Sequence, residues 1–307
     1  MHHQQCENWL GKGAMVDLII GGASKAGTTA LYDMLKQRDE FFLPEKKELH
    51  FFSWPELSNT TGGPGDKHVV AEIPSTLEKY LSHFQGKRIG QVAVDISPSY
   101  LFHHASAERI QQALPDVRLC FILRKPVDKV YSQYVHLVGE GREIHGFEEA
   151  LTLESDRKDR GYSDMWLYRE SGFYAEAIDH FQRVFGRDRV MVVLFEDFVQ
   201  DPKRVLRELC RHVGLDGTQA FNTDLKSNVS GLPKSALVAR LISPNLFTRF
   251  LRQVLPTSLG GLVRRFIRTL NSGSKPVLPA HVQEALSDVY RNDIVRLESL
   301  IGRSTGW

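Results

Sequence analysis

The sequence predicts an α/β fold of three layers, in which a central parallel sheet is flanked by helices and followed by a helical C-terminal extension. Three observations predict it. Short, almost continuously apolar runs recur through the first two thirds of the chain; each is followed by a segment of helical periodicity; and a glycine-rich loop joins the first run to the first helix. Strands separated by helices of roughly 10–15 residues make βαβ units, and such units bury a parallel sheet on both faces.

Val16–Ile20 is apolar except for Asp17 and ends in Gly21-Gly22, which suits a buried parallel strand. Thr28–Arg38 follows as a helix with Leu31, Met34 and Leu35 on one face. Gln91–Ile96, Val117–Leu123 and Arg189–Phe195 are three further strands, followed by helical segments at Ala105–Leu114, Val127–Val138 and Pro202–Val213. Ser53–Ser75, rich in Gly, Pro, Ser and Thr, and the charged Glu154–Glu170 read as long surface loops. From Gly231 the pattern is wholly helical and closes on an amphipathic helix at Pro279–Ile301. Residues 1–15 read as a disordered or tag-like start, and 16–307 as one domain.

The 307 residues, 42% hydrophobic and 25% charged, are those of an ordinary soluble globular chain with a core of useful size. A net charge of +2 hides an uneven distribution: Leu225 to Val282 holds nine Lys and Arg and no carboxylate, so the remainder is net acidic. That basic stretch also carries Leu241, Phe247, Phe250 and Phe266. It reads as a helical layer with its arginines in solvent, as an attractor of anionic ligands, or as a peripheral membrane contact. No nucleic-acid recognition motif is present. Cys6, Cys120 and Cys210 lack metal-ligand spacing, and the latter two read as small core residues; a reducing, cytoplasmic compartment is the expectation. No run approaches the ~20 apolar residues of a membrane span, and no basic-then-apolar leader opens the chain.

The stretch Gly21-Gly22-Ala23-Ser24-Lys25-Ala26-Gly27-Thr28-Thr29 lies where a phosphate loop belongs, between a buried strand and a helix N-terminus with unpaired N–H groups. Against the triphosphate loop G-x-x-x-x-G-K-[ST], Gly22, Gly27 and Thr29 are in register, but Thr28 stands at the lysine position and Lys25 falls three residues earlier. This P-loop-like element without the helix-start lysine argues against ATP or GTP hydrolysis. It suits a shorter 5′-substituent, a single phosphate bearing a leaving group.

Lys25-Ala26-Gly27-Thr28-Thr29 resembles the 5′-phosphosulfate loop of the sulfotransferases that use 3′-phosphoadenosine-5′-phosphosulfate (PAPS). Lys46-Lys47-Glu48-Leu49-His50-Phe51-Phe52 is similar to the K-E-x-H-F-F segment of the heparan sulfate branch and its bacterial relatives, and Val94–Tyr100 to a second landmark of that branch. Phe121–Tyr134 resembles the family's 3′-phosphate signature. The landmarks occur in the family's order from Val16 to Tyr134, with a weaker likeness through Leu194–Phe198 and Asn228–Pro233. The membrane span and the C-terminal disulfide found in relatives are missing from this sequence, which points to a soluble, bacterial-type member.

The resemblance implies a PAPS donor, no metal, and a small-molecule or glycan acceptor. Lys25 would face the leaving group, with Ala26, Gly27, Thr28 and Thr29 around the 5′-phosphate. Arg124 and Ser132 would hold the 3′-phosphate, the arginine as a planar fork of donors; the alternative is an Arg124 paired with Asp95 or Asp128. Tyr174 matches a tyrosine placed near the same phosphate, or else is a core aromatic at a helix start. Glu48 is the leading base and His50 its rival, since an unperturbed glutamate titrates near ~4.3 and an imidazole nearer neutrality. Ser97 and Ser99 read as ligand contacts or as turn caps, and Asp95 as an orienting or a structural acid. Two other functions remain open at this stage: a P-loop kinase or nucleotidase, and a non-catalytic nucleotide-binding scaffold.

Overall fold

A computed structural model describes residues 16–218, 221 and 278–307. Cys6, the Asn228–Pro233 likeness, the start of the helical extension at Gly231 and most of the basic stretch lie outside the described residues.

Five parallel strands form the centre of the molecule: β1 (Leu18–Ile20), β2 (Phe41–Phe42), β3 (Val92–Ile96), β4 (Arg118–Leu123) and β5 (Val190–Leu194), in the order β2-β3-β1-β4-β5. Every residue of β1 and β3 is buried, and β4 is buried after its first residue. Helices therefore cover both faces, and the apolar runs read from the sequence are explained. The helices follow at Thr28–Leu35, Ser106–Ala113, Pro126–Gly139 and Pro202–His212, within a few residues of their predicted limits. The last one described, Ala280–Ile301, packs on Ala175–Phe185 and on Pro126–Gly139.

Two predicted loops are corrected. Ser53–Ser75 contains short helices at Trp54–Leu57 and Asp66–Ala71, and Glu154–Glu170 contains a helix at Glu154–Asp159 and a 3-10 turn at Asp164–Trp166. Segments of four to six residues are too short to show a helical period. A buried carboxylate ties the two regions together. Asp66 accepts hydrogen bonds from the Gly63 and Ser163 amides, the Ser163 hydroxyl and Trp166 Nε1, and pairs with Arg142 at 2.6 Å. The edge strand β2 was not predicted, because two residues carry no alternation.

The strand order positions the site. From β1 the chain steps to one side through β2 and β3 and to the other through β4 and β5, so the switch point lies at the C-terminal end of β1, where ligands bind in open α/β sheets. The next residues are pinned between the ends of β3 and β4. Gly21 N donates to Cys120 O at 3.0 Å, Ile122 N to Gly22 O at 2.7 Å, Ala23 N to Ile122 O at 2.5 Å, and Leu101 N to Gly21 O at 2.8 Å.

Behind the loop, Phe121 of β4 packs against Phe181 in a tilted pair with ring centroids 4.6 Å apart, and both rings are fully buried. Phe181→Ala would leave a cavity at this contact and is expected to lower stability by ~3–5 kcal/mol, read as a drop in the urea unfolding midpoint.

Candidate functional site

The loop after β1 turns with Lys25 at φ 64° and Gly27 at φ 85°, and Ala26, fully buried, closes the turn by donating to Ala23 O at 3.3 Å. Gly27 is the N-cap of the Thr28–Leu35 helix, and no side chain caps that helix. Its first-turn N–H groups and the positive end of its dipole are thus left for an anion. A Cβ at Gly27 would fall 2.9 Å from the Phe195 ring in a left-handed conformation, so the close approach requires glycine.

Arg124, just past β4, donates from Nη1 to the Lys25 carbonyl at 3.0 Å and lies over the Phe195 ring at 4.8 Å. Among the described residues no carboxylate pairs with it, so the predicted alternative of an Asp95 or Asp128 partner is not what is found. Tyr174 is buried, and its hydroxyl donates to the Arg124 carbonyl at 3.0 Å. Ser132 is buried on the Pro126–Gly139 helix, beside Gln133. Gln133 Oε1 accepts from Ser24 Oγ of the loop at 3.2 Å.

Glu48 and His50 lie on the segment after β2, on backbones with φ 57° and 53°. His50 Nε2 is 3.8 Å from Glu48 Oε2. Three serines hold the histidine in place: His50 N donates to Ser97 Oγ at 3.0 Å, His50 Nδ1 meets Ser99 Oγ at 2.7 Å, and Ser99 meets Ser53 at 2.9 Å. Ser97 in turn donates to Asp95 at 2.7 Å, and Asp95 also accepts from Tyr80 at 3.0 Å and Tyr100 at 2.8 Å. Asp95 is thus a buried anchor beneath the histidine. Burial raises its pKa, and the hydroxyl donors only partly offset that. Phe51 and Phe52 pack on Tyr80, one of the hydroxyl donors to this anchor.

The electrostatics follow from this enclosure. Burial lowers the Lys25 ammonium, Arg124 adds to the effect, and Glu140 and Glu48 oppose it. Enclosure works to raise the Glu48 carboxyl, but His50, Lys47 and Lys25 outweigh it and leave the group below its usual value. Glu48 is therefore an ionised carboxylate, with 44% of its side chain open to solvent.

Sequence reasoning missed three residues. Lys47 Nζ donates to Thr29 Oγ1 at 3.0 Å and lies 5.1 Å from the Tyr32 ring, and burial lowers its pKa. It reaches the loop from the segment that carries Glu48. Lys129 and Asp164 line a cleft beside Ala23 and Ser24. A lysine in a helix and an aspartate in a charged stretch give no sequence signal for such a position.

Residues 17–219 match the model of the sulfotransferase family. The chain is 28% identical over 198 residues to heparan sulfate glucosamine 3-O-sulfotransferase 3A1 of Mus musculus, covering 64% of this chain and 45% of that protein. It is 23% identical over 290 residues to heparan sulfate glucosamine 3-O-sulfotransferase 6 of Homo sapiens, covering 94% and 72%. The chain thus spans about half the length of the first of these relatives. The crystal structure of a sulfotransferase from Alicyclobacillus acidocaldarius superposes with a TM-score of 0.75 at 29% identity, covering 95% of this chain and 97% of that one.

Because a charge-assisted hydrogen bond contributes about 1.5–3 kcal/mol, Lys47→Gln is expected to weaken any phosphate ligand of this loop by roughly tenfold or more, with adenosine 3′,5′-bisphosphate (PAP) as the probe. Calorimetric titration reads this directly, and unchanged affinity would mean that Lys47 only rests on the loop.

Proposed function

The chain belongs to the sulfotransferase family, and on that premise we propose that it moves a sulfuryl group from PAPS to an acceptor hydroxyl or amine. A carbohydrate hydroxyl is the first reading of the acceptor, and a lipid or polyketide hydroxyl the second. The observation that carries the proposal is the pairing of two unlike walls at the switch point. One is an uncapped helix N-terminus with Lys25 and Arg124 tied to the same loop; the other holds an ionised Glu48 beside His50.

In this reading the amides of Gly27, Thr28 and Thr29 hold the donor's 5′-phosphate, and Arg124 with Ser132 holds the 3′-phosphate. The acceptor oxygen bonds to sulfur as the sulfur–oxygen bond to the 5′-phosphate breaks. Charge then grows on the leaving phosphate, where Lys25 offsets it. Glu48 accepts the acceptor's proton. Its lowered pKa makes it a weak base but keeps it in the required form, and His50, held by Ser97 and Ser99, is the group able to share the proton. PAP is the other product. Two resident lysines, Lys25 and Lys47, supply fixed positive charge at the phosphate end.

A thermal-shift titration tests the donor. PAP at 100 times its Kd should add ~2.7 kcal/mol of stability, and the shift should shrink in Arg124→Ala. A response to ATP with magnesium and none to PAP would instead favour a kinase or nucleotidase.

The base is tested by Glu48→Gln, expected to lower kcat by ~10²–10⁴-fold with PAP binding retained. A carboxylate base works deprotonated, so activity should persist as pH falls until it crosses the Glu48 pKa, below the ordinary 4.5. An imidazole base would place that acid limb near ~6.5, and a limb found there would remove Glu48 from the role.

A further inference from the structure

In the PAPS reading, two anion sites far apart in the sequence serve one donor. The amides after Gly27 belong to the loop that follows β1, while Ser132 lies on the Pro126–Gly139 helix that follows β4. The parallel register of β1 and β4 fixes where both segments begin. It does not fix the distance from the loop to Ser132, because both segments have by then left the sheet. PAP carries its two phosphates on one ribose. It gains from both sites only where their separation is set before it binds.

Gln133, the next residue on that helix, bridges the gap. It is 1% exposed, and its Oε1 accepts from Ser24 Oγ of the loop at 3.2 Å. Its Nε2 donates to the Asp164 and Met165 carbonyls at 3.1 and 3.0 Å. Both donors of the amide are thus engaged, and the group cannot rotate without breaking buried hydrogen bonds. The two carbonyls are themselves held, because Ser163 and Trp166, on either side of them, donate to the buried Asp66. One turn earlier on the helix, Lys129 Nζ donates to the Ser171 carbonyl at 2.9 Å and the Ser171 hydroxyl at 2.5 Å. The helix is therefore tied to residues 163–171 at two levels. A continuous set of contacts runs from Asp66 through Gln133 to the phosphate loop.

We propose that Gln133 is a positioning residue that sets the phosphate loop and Ser132 at the separation a 3′,5′-bisphosphate needs. The proposal rests on the PAPS-donor reading given above. A residue that only stabilised the fold would affect every nucleotide alike, or none. A residue that sets the spacing affects the bisphosphate alone. A mononucleotide uses one anion site and is indifferent to where the other lies.

The test is calorimetric titration of the full chain with PAP, 5′-AMP and 3′-AMP. The wild type is expected to bind PAP at least about tenfold more tightly than either mononucleotide. Gln133→Leu keeps the bulk and removes the hydrogen-bonding groups. It should lower PAP affinity about tenfold and change each mononucleotide by less than about twofold. Ser24→Ala cuts the same bond from the loop side and should narrow the advantage of PAP likewise. The double variant should lose no more than Gln133→Leu alone. An equal loss for all three nucleotides overturns the proposal, as does unchanged PAP affinity in either variant. If Gln133→Leu does not fold, Ser24→Ala decides alone. A wild type that binds PAP no more tightly than the mononucleotides also overturns it. A wild type that binds none of the three overturns the PAPS reading itself, and is scored separately.

Discussion

Backbone held in the left-handed region is the constraint on which this site depends. Among the described residues, the non-glycine positions with positive φ are Lys25, Glu48 and His50. Such conformations cost of order 1–3 kcal/mol each and persist only where their surroundings over-determine them. The surroundings here are specific. Lys25 is clamped through its carbonyl by Arg124, and His50 through its amide by Ser97 and its ring by Ser99. Glu48, two residues before His50, is carried by the same clamp. The two segments so held bring one lysine and one carboxylate close enough to feel each other's charge.

The sheet makes these clamps possible. Ser97 follows directly on β3, Arg124 directly on β4, and the loop itself on β1. The register Ile20↔Ile96 sets the ends of β1 and β3 level, and Ile20↔Cys120 leaves the last three residues of β4 running beside the start of the loop. The three strands are buried on both faces almost throughout, so a slip of one residue would exchange the side chains packed on the two faces and mismatch both layers. Asp95 shows how the core reaches the site: a fully buried acid takes three hydroxyl donors, one of them Ser97, and Ser97 accepts the His50 amide.

These facts explain what was legible in the sequence. The loop between β1 and the first helix was, because its parts are local: Gly22 to Thr29 is one continuous stretch whose glycines and helix start announce a tight turn with unpaired N–H groups. The sheet was legible from apolar runs such as Phe121–Leu123. The identities of Glu48 and His50 came through resemblance to a family segment, but their support did not. Ser97 and Ser99 contact His50 across 47 and 49 residues, and no local pattern encodes that pairing. The reach of Lys47 to Thr29 and the enclosure of Lys129 were not legible, since burial of a lysine is a property of its neighbours. The stretches misread as loops failed for the related reason that their order comes from Asp66, a single buried carboxylate joining two distant segments.

The C-terminal helix supports the Arg124 side of the site as much as the fold. Asp293, on that helix, accepts from the amides of Tyr174 and Ala175, and so supplies the anionic cap of the Ala175–Phe185 helix. That contact fixes Tyr174, whose hydroxyl holds the Arg124 carbonyl. A second route converges on the same turn. Trp307 packs against the Tyr174 ring and donates to Glu196, and Glu196 accepts from the amide of Lys125. The residue proposed to bind the 3′-phosphate is therefore gripped on both sides of its peptide plane by groups anchored in the last 15 residues of the chain. A guanidinium must hold one orientation to act as a fork for a phosphate. The Lys25 carbonyl and the Phe195 ring hold the guanidinium itself, and the C-terminal contacts fix the backbone from which it reaches them.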